Sequence, residues 1–302
     1  MSTALDVVVG EAAVDSRPPR RRRTGVAGRV FSASMLSASI AIVALVVLWA
    51  LVPSLFTDQD PLLGVGAEKL QPPSGAHWFG TDQVGRDLFA RIVYGASLSL
   101  TGAVIAVVLA LVVGSLLGLL AGFVGGRTDD IIMRGADVML SIPSILLSMA
   151  IITVLGRGVV VVAVAVGIAS IASIARTMRS EVLKVRVADY TDAARAAGVR
   201  WWTIMFAHVL PNARGPVVVL ATIEFGTALL AIAGLSFLGY GEPAPAPEWG
   251  ALISTGRDYM ATSWWLITIP GLVIVAVVLS LNRVSHALQD RKSFTFRGRK
   301  RK

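Results

Sequence analysis

IVYGASLSLTGAVIAVVLALVVGSLLGLLAGFVGG, residues 92–126, contains no Asp, Glu, Lys or Arg. A helix needs only about 20 residues to cross ~30 Å of hydrocarbon, so this stretch spans a bilayer with turns to spare. On either side of it, residues 30–57, 138–156, 158–175 and 259–282 are also free of charge, and 215–241 holds only Glu224. A buried core helix rarely reaches such length without a polar face. The pattern predicts six transmembrane helices. Composition agrees, because 55% of the 302 residues are hydrophobic and 16% are charged, against ~25% charged in soluble domains. That excludes an ordinary soluble enzyme, and it excludes disorder, which needs low hydrophobicity. With no Cys in the chain, disulfides, thiolate nucleophiles and Cys-based metal sites are excluded together.

The first run follows a basic cluster, Arg20 to Arg23, as a signal peptide would. It exceeds a 7–15-residue signal core, however, and its far end Leu51-Val52-Pro53-Ser54-Leu55-Phe56 lacks an A-x-A cleavage site, so a retained helix is expected. Charge then sets the orientation. Residues 1–33 carry six Arg against three acids, and the segments 176–214 and 283–302 are also strongly basic, whereas 58–91 and 241–258 are acidic. Both termini are therefore expected in the cytoplasm of a multi-pass membrane protein. The net charge of +9 reads as this topology signal and not as a nucleic-acid surface.

The loops add detail. After the turn cluster Pro72-Pro73-Ser74-Gly75 comes Gly80-Thr81-Asp82-Gln83-Val84-Gly85-Arg86-Asp87. From Asp87 onward a short interfacial helix is expected, supported by an i,i+4 pair between Asp87 and Arg91. Gly156-Arg157-Gly158 leaves room only for a tight hairpin, and Pro143 and Pro270 should bend their spans. Small residues from Ala163 to Ser173 permit close helix contact in lipid. The basic segment between the fourth and fifth spans holds Asp189-Tyr190-Thr191-Asp192-Ala193-Ala194-Arg195-Ala196-Ala197-Gly198. It predicts a short helix capped by Asp189 or Thr191 and ended by a left-handed Gly198. A second helix from about Arg200 is expected to break at or before Pro211. Such a short, smooth helix suits docking on a partner.

Asp192-Ala193-Ala194-x-x-x-Gly198, with Leu210-Pro211 after it, resembles the EAA loop of ABC importer permeases. Asp stands in place of the usual Glu, and His208 where many members carry Ile. The Gly80-Thr81-Asp82-x-x-Gly85-Arg86-Asp87 stretch, Leu235-Ser236-Phe237-Leu238-Gly239 and Pro247-Glu248-Trp249-Gly250 resemble the dipeptide, oligopeptide and nickel importer permeases. The likeness runs over about residues 31–291. One departure is Ser285-His286-Ala287-Leu288-Gln289-Asp290, where members usually show a Gly-Asp-Gly-Leu-Arg-Asp-like run.

The resemblance implies an all-α polytopic membrane protein with six transmembrane helices of the type I ABC importer permease kind. It divides into a basic tail 1–33, a first span with its outer segment 34–95, a five-helix core 96–283 with coupling loop 178–212, and a basic tail 284–302. It further implies a homologous permease as partner, two cytoplasmic ABC ATPase subunits holding ATP and Mg, and an extracytoplasmic substrate-binding protein delivering a peptide. The chain itself would bind no cofactor or metal and catalyse nothing. It has no Gly-Lys dipeptide, hence no phosphate-cradling loop, and no catalytic triad. The alternatives are a permease for nickel or another small solute, and an autonomous secondary transporter, which would place several ionisable groups at membrane depth. Here Glu224 is nearly solitary, a candidate either for the translocation path or for a structural pair. His77, His208 and His286 lie on both sides of the membrane and cannot share one metal. Trp201-Trp202 and Trp264-Trp265 are expected as interface anchors, the first pair being also a candidate for contact with the ATPase, and Tyr240 to Trp249 is expected as a stiff outer loop, a candidate to receive the binding protein. The basic end 291–302 is a candidate for anionic lipid.

Overall fold

The computed structural model describes the backbone of residues 26–298 and the side chains of residues 34–287. The basic cluster 20–23 and the side chains of the basic end 291–302 lie outside them. Internal packing separates Met1–Met35 from Leu36–Lys302. The first unit contributes only the opening turns of one helix to the described residues, and the second holds all the rest.

Helix α1 (Val26–Leu51) is followed by an irregular segment with two single 3-10 turns, and then by α2 (Leu88–Val124). The 37 residues of α2 make a rod of about 55 Å. The expected short interfacial helix after Asp87 is absent as a separate element, because Leu88 to Val124 is one uninterrupted helix with Asp87 as its N-cap. Helices α3 (Gly126–Ser141) and α4 (Ser144–Leu155) meet at 94°. Pro143 is the cause expected from the sequence. It has no N–H to continue the ladder, and α3 stops two residues before it. The expected third span is thus a broken pair. The segment 127–137, between the charge-free runs 92–126 and 138–156, is helical and tied to α5 (Val159–Arg186) by a two-pronged Arg179–Asp129 pair at 2.5 and 2.6 Å and by an Arg176–Asp137 pair. Gly156 and Gly158 take φ of +96° and +128°, forming the hairpin between α4 and α5.

After α6 (Asp189–Ala196) come α7 (Trp201–Thr203), a π-helical turn Ile204–Val209 and α8 (Leu210–Phe237). The last three run on as a single apolar helix, Trp201–Phe237. This overturns the expected break at Pro211. A proline clashes with the carbonyl four residues before it and offers no hydrogen bond, but here it falls in the first turn of α8, just after the wider π turn. Helices α9 (Trp249–Gly256) and α10 (Trp265–Gly298) complete the chain. Among the described residues five helices are long and apolar enough to cross a membrane, six if α3 and α4 count as one broken span.

The bundle is centred on α2 packed along α5. Gly114, Gly118 and Gly122 of α2 face α5 so closely that a Cβ at Gly118 would lie 2.3 Å from the Ala175 carbonyl oxygen, and one at Gly122 2.8 Å from the Val182 Cβ. From the other side, a Cβ on Gly167 of α5 would meet the Ala106 carbonyl oxygen at 2.8 Å. Small residues every fourth position let backbones approach where lipid supplies no hydrophobic drive. Two apolar cores result. One joins α1, α2, α4, α5, α8, α9 and α10 around Ile92, Leu229, Ile232 and Trp249. The other joins α2, α5 and the π turn around Phe123, Met178, Met205 and Val209.

Candidate functional site

The short helix expected between the fourth and fifth spans exists as α6 and stands on the second core. Thr191 is fully buried and its hydroxyl donates to the Val185 carbonyl at 3.0 Å. It is therefore a tether to the end of α5 and not a cap, and Asp189 does not cap either, since the N-cap position is Ala188 without a side-chain bond. Asp189 and Asp192 lie exposed in the first turn, where negative charge favours the helix dipole. At the other end Gly198 has φ of +73°, its N–H donates to Arg195 O at 3.0 Å, and Val199 N–H donates to Ala194 O at 3.2 Å. That paired closure is a Schellman motif. Ala194 and Val199, the two residues it brings together, both pack on the second core, as does Leu210. Asp192, Ala193, Arg195 and Gly198 remain exposed, with Arg195 and Asp192 paired at 3.0 Å. Pro211 is exposed as well. Around the helix stand four exposed aromatics, Tyr190, Trp201, Trp202 and Phe206, with the Arg200 guanidinium 5.4 Å from the Trp202 ring centre.

The Gly80–Asp87 stretch lies at the opposite end of α2 and is closed in on itself. Asp82 Oδ1 accepts from the N–H groups of Val84 and Arg86 at 2.9 and 3.0 Å, while its Oδ2 accepts from Arg86 Nε at 2.6 Å. Arg91 Nε stands 3.6 Å from that same oxygen. The arginine also donates to Pro61 O at 2.9 Å and Pro245 O at 3.2 Å, stitching together segments far apart in sequence. Asp87 does not pair with Arg91 as expected. It caps α2 through Ala90 N–H at 2.8 Å and meets His77 Nδ1 at 2.9 Å. The sequence rule of i,i+4 pairing applies inside a helix, and Asp87 is outside it. The Thr81 hydroxyl donates to Glu68 O, and Thr81 O accepts from Trp265 Nε1 at 3.2 Å. Gly80 and Gly85 have φ of +78° and +85°, and a Cβ on Gly85 would lie 1.9 Å from Val65 O. Trp265 is 5% exposed, so of the expected Trp264-Trp265 anchors only Trp264 stands out.

The Tyr240–Trp249 stretch is irregular up to Glu248, as a loop should be, but most of it is packed inward. Only Pro243, Ala244 and Pro245 are exposed in it. Glu248 and Trp249 are fully buried. Trp249 Nε1 donates to Ile92 O at 2.9 Å, and a Cβ on Gly95 would lie 2.0 Å from Pro247 O. Glu248 N-caps α9 through Gly250 and Ala251 N–H at 3.0 and 2.8 Å, and Ser99 donates to it at 3.3 Å. Burial pushes its carboxyl above the usual glutamate range, against the lowering effect of those donors. The sequence marked this residue only as part of the Pro247-Glu248-Trp249-Gly250 resemblance, and its role as a buried cap comes from the fold.

Glu224 lies half-buried on α8, and the Ser170 hydroxyl of α5 donates to its Oε2 at 3.5 Å. It stands apart from both ends of the bundle.

Residues 114–293 match the model of the family described as binding-protein-dependent transport system inner membrane component. The chain is 40% identical over 282 residues to the dipeptide transport system permease protein DppC of Alkalihalophilus pseudofirmus, covering 91% of this chain and 93% of that one. It is 36% identical over 278 residues to the probable D,D-dipeptide transport system permease protein DdpC of Escherichia coli, with the same coverage. A chain of the MetNI methionine ABC transporter in an inward-facing form shares the fold, with a TM-score of 0.54 at 18% identity over 66% of this chain and 96% of that one. The all-α permease architecture expected from the sequence is therefore correct, and the chain belongs to the binding-protein-dependent transport system inner membrane component family.

Proposed function

We propose that this chain is one permease subunit of an ATP-driven importer of dipeptides or oligopeptides. It forms the translocation path with a homologous permease, receives cargo from an extracytoplasmic binding protein, and is driven by two ABC ATPases that carry the ATP and Mg. In this reading the α6 end faces the cytoplasm, as do both termini, and the Gly80–Asp87 end faces out. The relatives' names favour peptides over nickel or another small solute, and family membership leaves the autonomous transporter without support.

The observation that carries the reading is α6 itself. Eight residues, closed by a Schellman motif, present Asp192, Ala193, Arg195 and Gly198 to solvent while Thr191 and Ala194 hold the helix to the bundle. Small alanines let a partner groove approach the backbone. A displacement of α6 passes to α5 through the Thr191–Val185 bond, and to the π turn and α8 through the shared apolar core. The π turn gives that route a compliant joint, since such turns depart from the regular ladder at moving sites.

The test is uptake of a radiolabelled dipeptide into proteoliposomes that hold both permeases and both ATPases, with binding protein outside and ATP within. Asp192→Lys is expected to leave assembly of the two permeases intact and to reduce uptake at least tenfold. Unchanged uptake by that variant would contradict the coupling role of α6.

A further inference from the structure

Arg86 and Arg91 are 7% and 3% exposed, and they share one carboxylate. Arg86 Nε donates to Asp82 Oδ2 at 2.6 Å, whereas Arg91 Nε stays 3.6 Å from that oxygen and forms no hydrogen bond. Arg91 does donate to Pro61 O and Pro245 O, but neutral carbonyls leave its charge in place. Two guanidiniums on one carboxylate hold a net positive charge out of water, and buried charge is costly unless it is paired. That excess calls for an anion.

Both arginines line a cavity of about 190 Å³ bounded by the start of α2, the α4–α5 hairpin, the α8–α9 connection and α9. These segments are fastened together at one end of the bundle. Gly158 N–H donates to Tyr240 O at 3.2 Å, Val159 N–H to Glu242 Oε2 at 3.1 Å, and Arg91 to Pro245 O at 3.2 Å. A third guanidinium, Arg157, lines the same cavity. It sits between Gly156 and Gly158, both at positive φ, is exposed, and has no ion pair among the described residues. Glu242 is the one acid in this wall, and its carboxylate is committed to the first N–H of α5, where the helix dipole favours it. Glu248, just before the α9 residues of the wall, is likewise committed to the Gly250 and Ala251 N–H groups. The acceptors are engaged and positive charge is left over, so the ligand that suits the cavity is an anion with two oxygens, which a guanidinium grips by parallel hydrogen bonds. Pro243, Ala244 and Arg157 stand exposed at its rim, and a rim held by proline keeps its shape before a ligand arrives.

We propose that Arg157 at the mouth, with Arg86 and Arg91 behind it, forms a receptor for one carboxylate side chain of the extracytoplasmic binding protein. The inference rests on the importer reading, which turns this end of the bundle outward, and it deepens that reading by naming the chemistry of the contact. The inserted Asp or Glu meets Arg157 first and then the field of the two buried arginines, whose excess charge it offsets. Arg86 and Arg91 thus serve the clasp from one side and the partner from the other.

The test uses the complete complex of two permeases and two ATPases in lipid nanodiscs, titrated with fluorescently labelled binding protein. Arg157→Glu is expected to weaken binding about tenfold or more at low salt, the size of a reversed charge contact, and Arg157→Lys to keep most of the affinity. The difference should shrink at high salt, because the mouth of the cavity is open to screening. Arg157 is exposed and unpaired, so thermal melting of both variants should match the wild type. Replacing each exposed Asp and Glu of the binding protein by Arg in turn should find one change that restores binding to Arg157→Glu. Unchanged affinity in Arg157→Glu, or a loss that no such replacement restores, would overturn the proposal. So would binding of free Ala-Ala to the complex, without binding protein, that Arg157→Glu abolishes, since the cavity would then serve the peptide's own carboxylate. ATP hydrolysis stimulated by loaded binding protein is measured on the same wild-type preparation. Its presence upholds the importer reading even where the receptor fails, and its absence sinks the reading and the receptor with it.

Discussion

Gly85 and Gly198 stand at the two ends of the molecule with almost the same backbone, φ of +85° and +73°, and they do opposite things. Around Gly85 there is no space, since a Cβ would meet Val65 O at 1.9 Å. A Cβ on Gly198 would meet nothing within 4 Å. The same contrast holds for the motifs they belong to. The Gly80–Asp87 stretch turns its polar groups inward, onto Arg86, Arg91, Trp265 and the loop segments it fastens. The α6 loop hides one hydroxyl and turns its charges and aromatics outward. Both stretches read as family motifs in the sequence, yet one is a clasp that builds the fold and the other leaves its charges and aromatics exposed.

That contrast can be challenged from the clasp side first. Gly85→Ala should cost at least about 4 kcal/mol, combining a forced backbone shift with an unfavourable positive φ. Detergent-solubilised yield and thermal melting should both collapse. Asp82→Ala leaves two buried arginines without their shared carboxylate, and removing one partner of a buried pair costs about 3–5 kcal/mol, read as a lower melting temperature. On the α6 side Gly198→Ala should cost only about 1 kcal/mol, with melting little changed. A large loss of stability there would show that α6 also builds the fold.

The smallest effect concerns Glu248 and is one of pH. Its carboxyl is raised by burial, so the folded state holds a proton that the unfolded chain has already released. Stability is greatest below the unfolded value of ~4.3 and declines as pH rises through the folded value. Glu248→Gln should flatten that decline in melts taken across mildly acidic to neutral pH. An equally steep slope in the variant would assign the pH dependence to another group.

Much of this was legible in the residues. Charge-free length gave the long helices because the bilayer demands it, and Pro143 gave the break between α3 and α4 because a proline cannot complete the ladder. What escaped was set by tertiary contact. Pro211 read as a helix end, since no sequence rule foretells a π turn placed to absorb it. Arg91 was assigned to Asp87 by spacing, while the fold turned it onto Asp82, Pro61 and Pro245. Glu248 and Trp249 sit among prolines, which read as loop, and only the packing of α2, α8 and α10 around the start of α9 buries them. Of the docking helix, the left-handed Gly198 was legible and the Thr191 tether was not, because a threonine at a helix start reads first as a cap.

The coupling role of α6 requires that it meet an ATPase. Because the chain has no cysteine, Ala193→Cys creates a single reactive site on the exposed face of α6, and a maleimide–benzophenone probe attached there can be photolysed in membranes holding the assembled transporter. The expected product is a covalent adduct between this chain and a nucleotide-binding subunit, absent when the same probe is placed at Gly75→Cys in the segment before the clasp. Photolysis from position 193 that yields no such adduct, in membranes where the subunits co-purify, would contradict docking at α6.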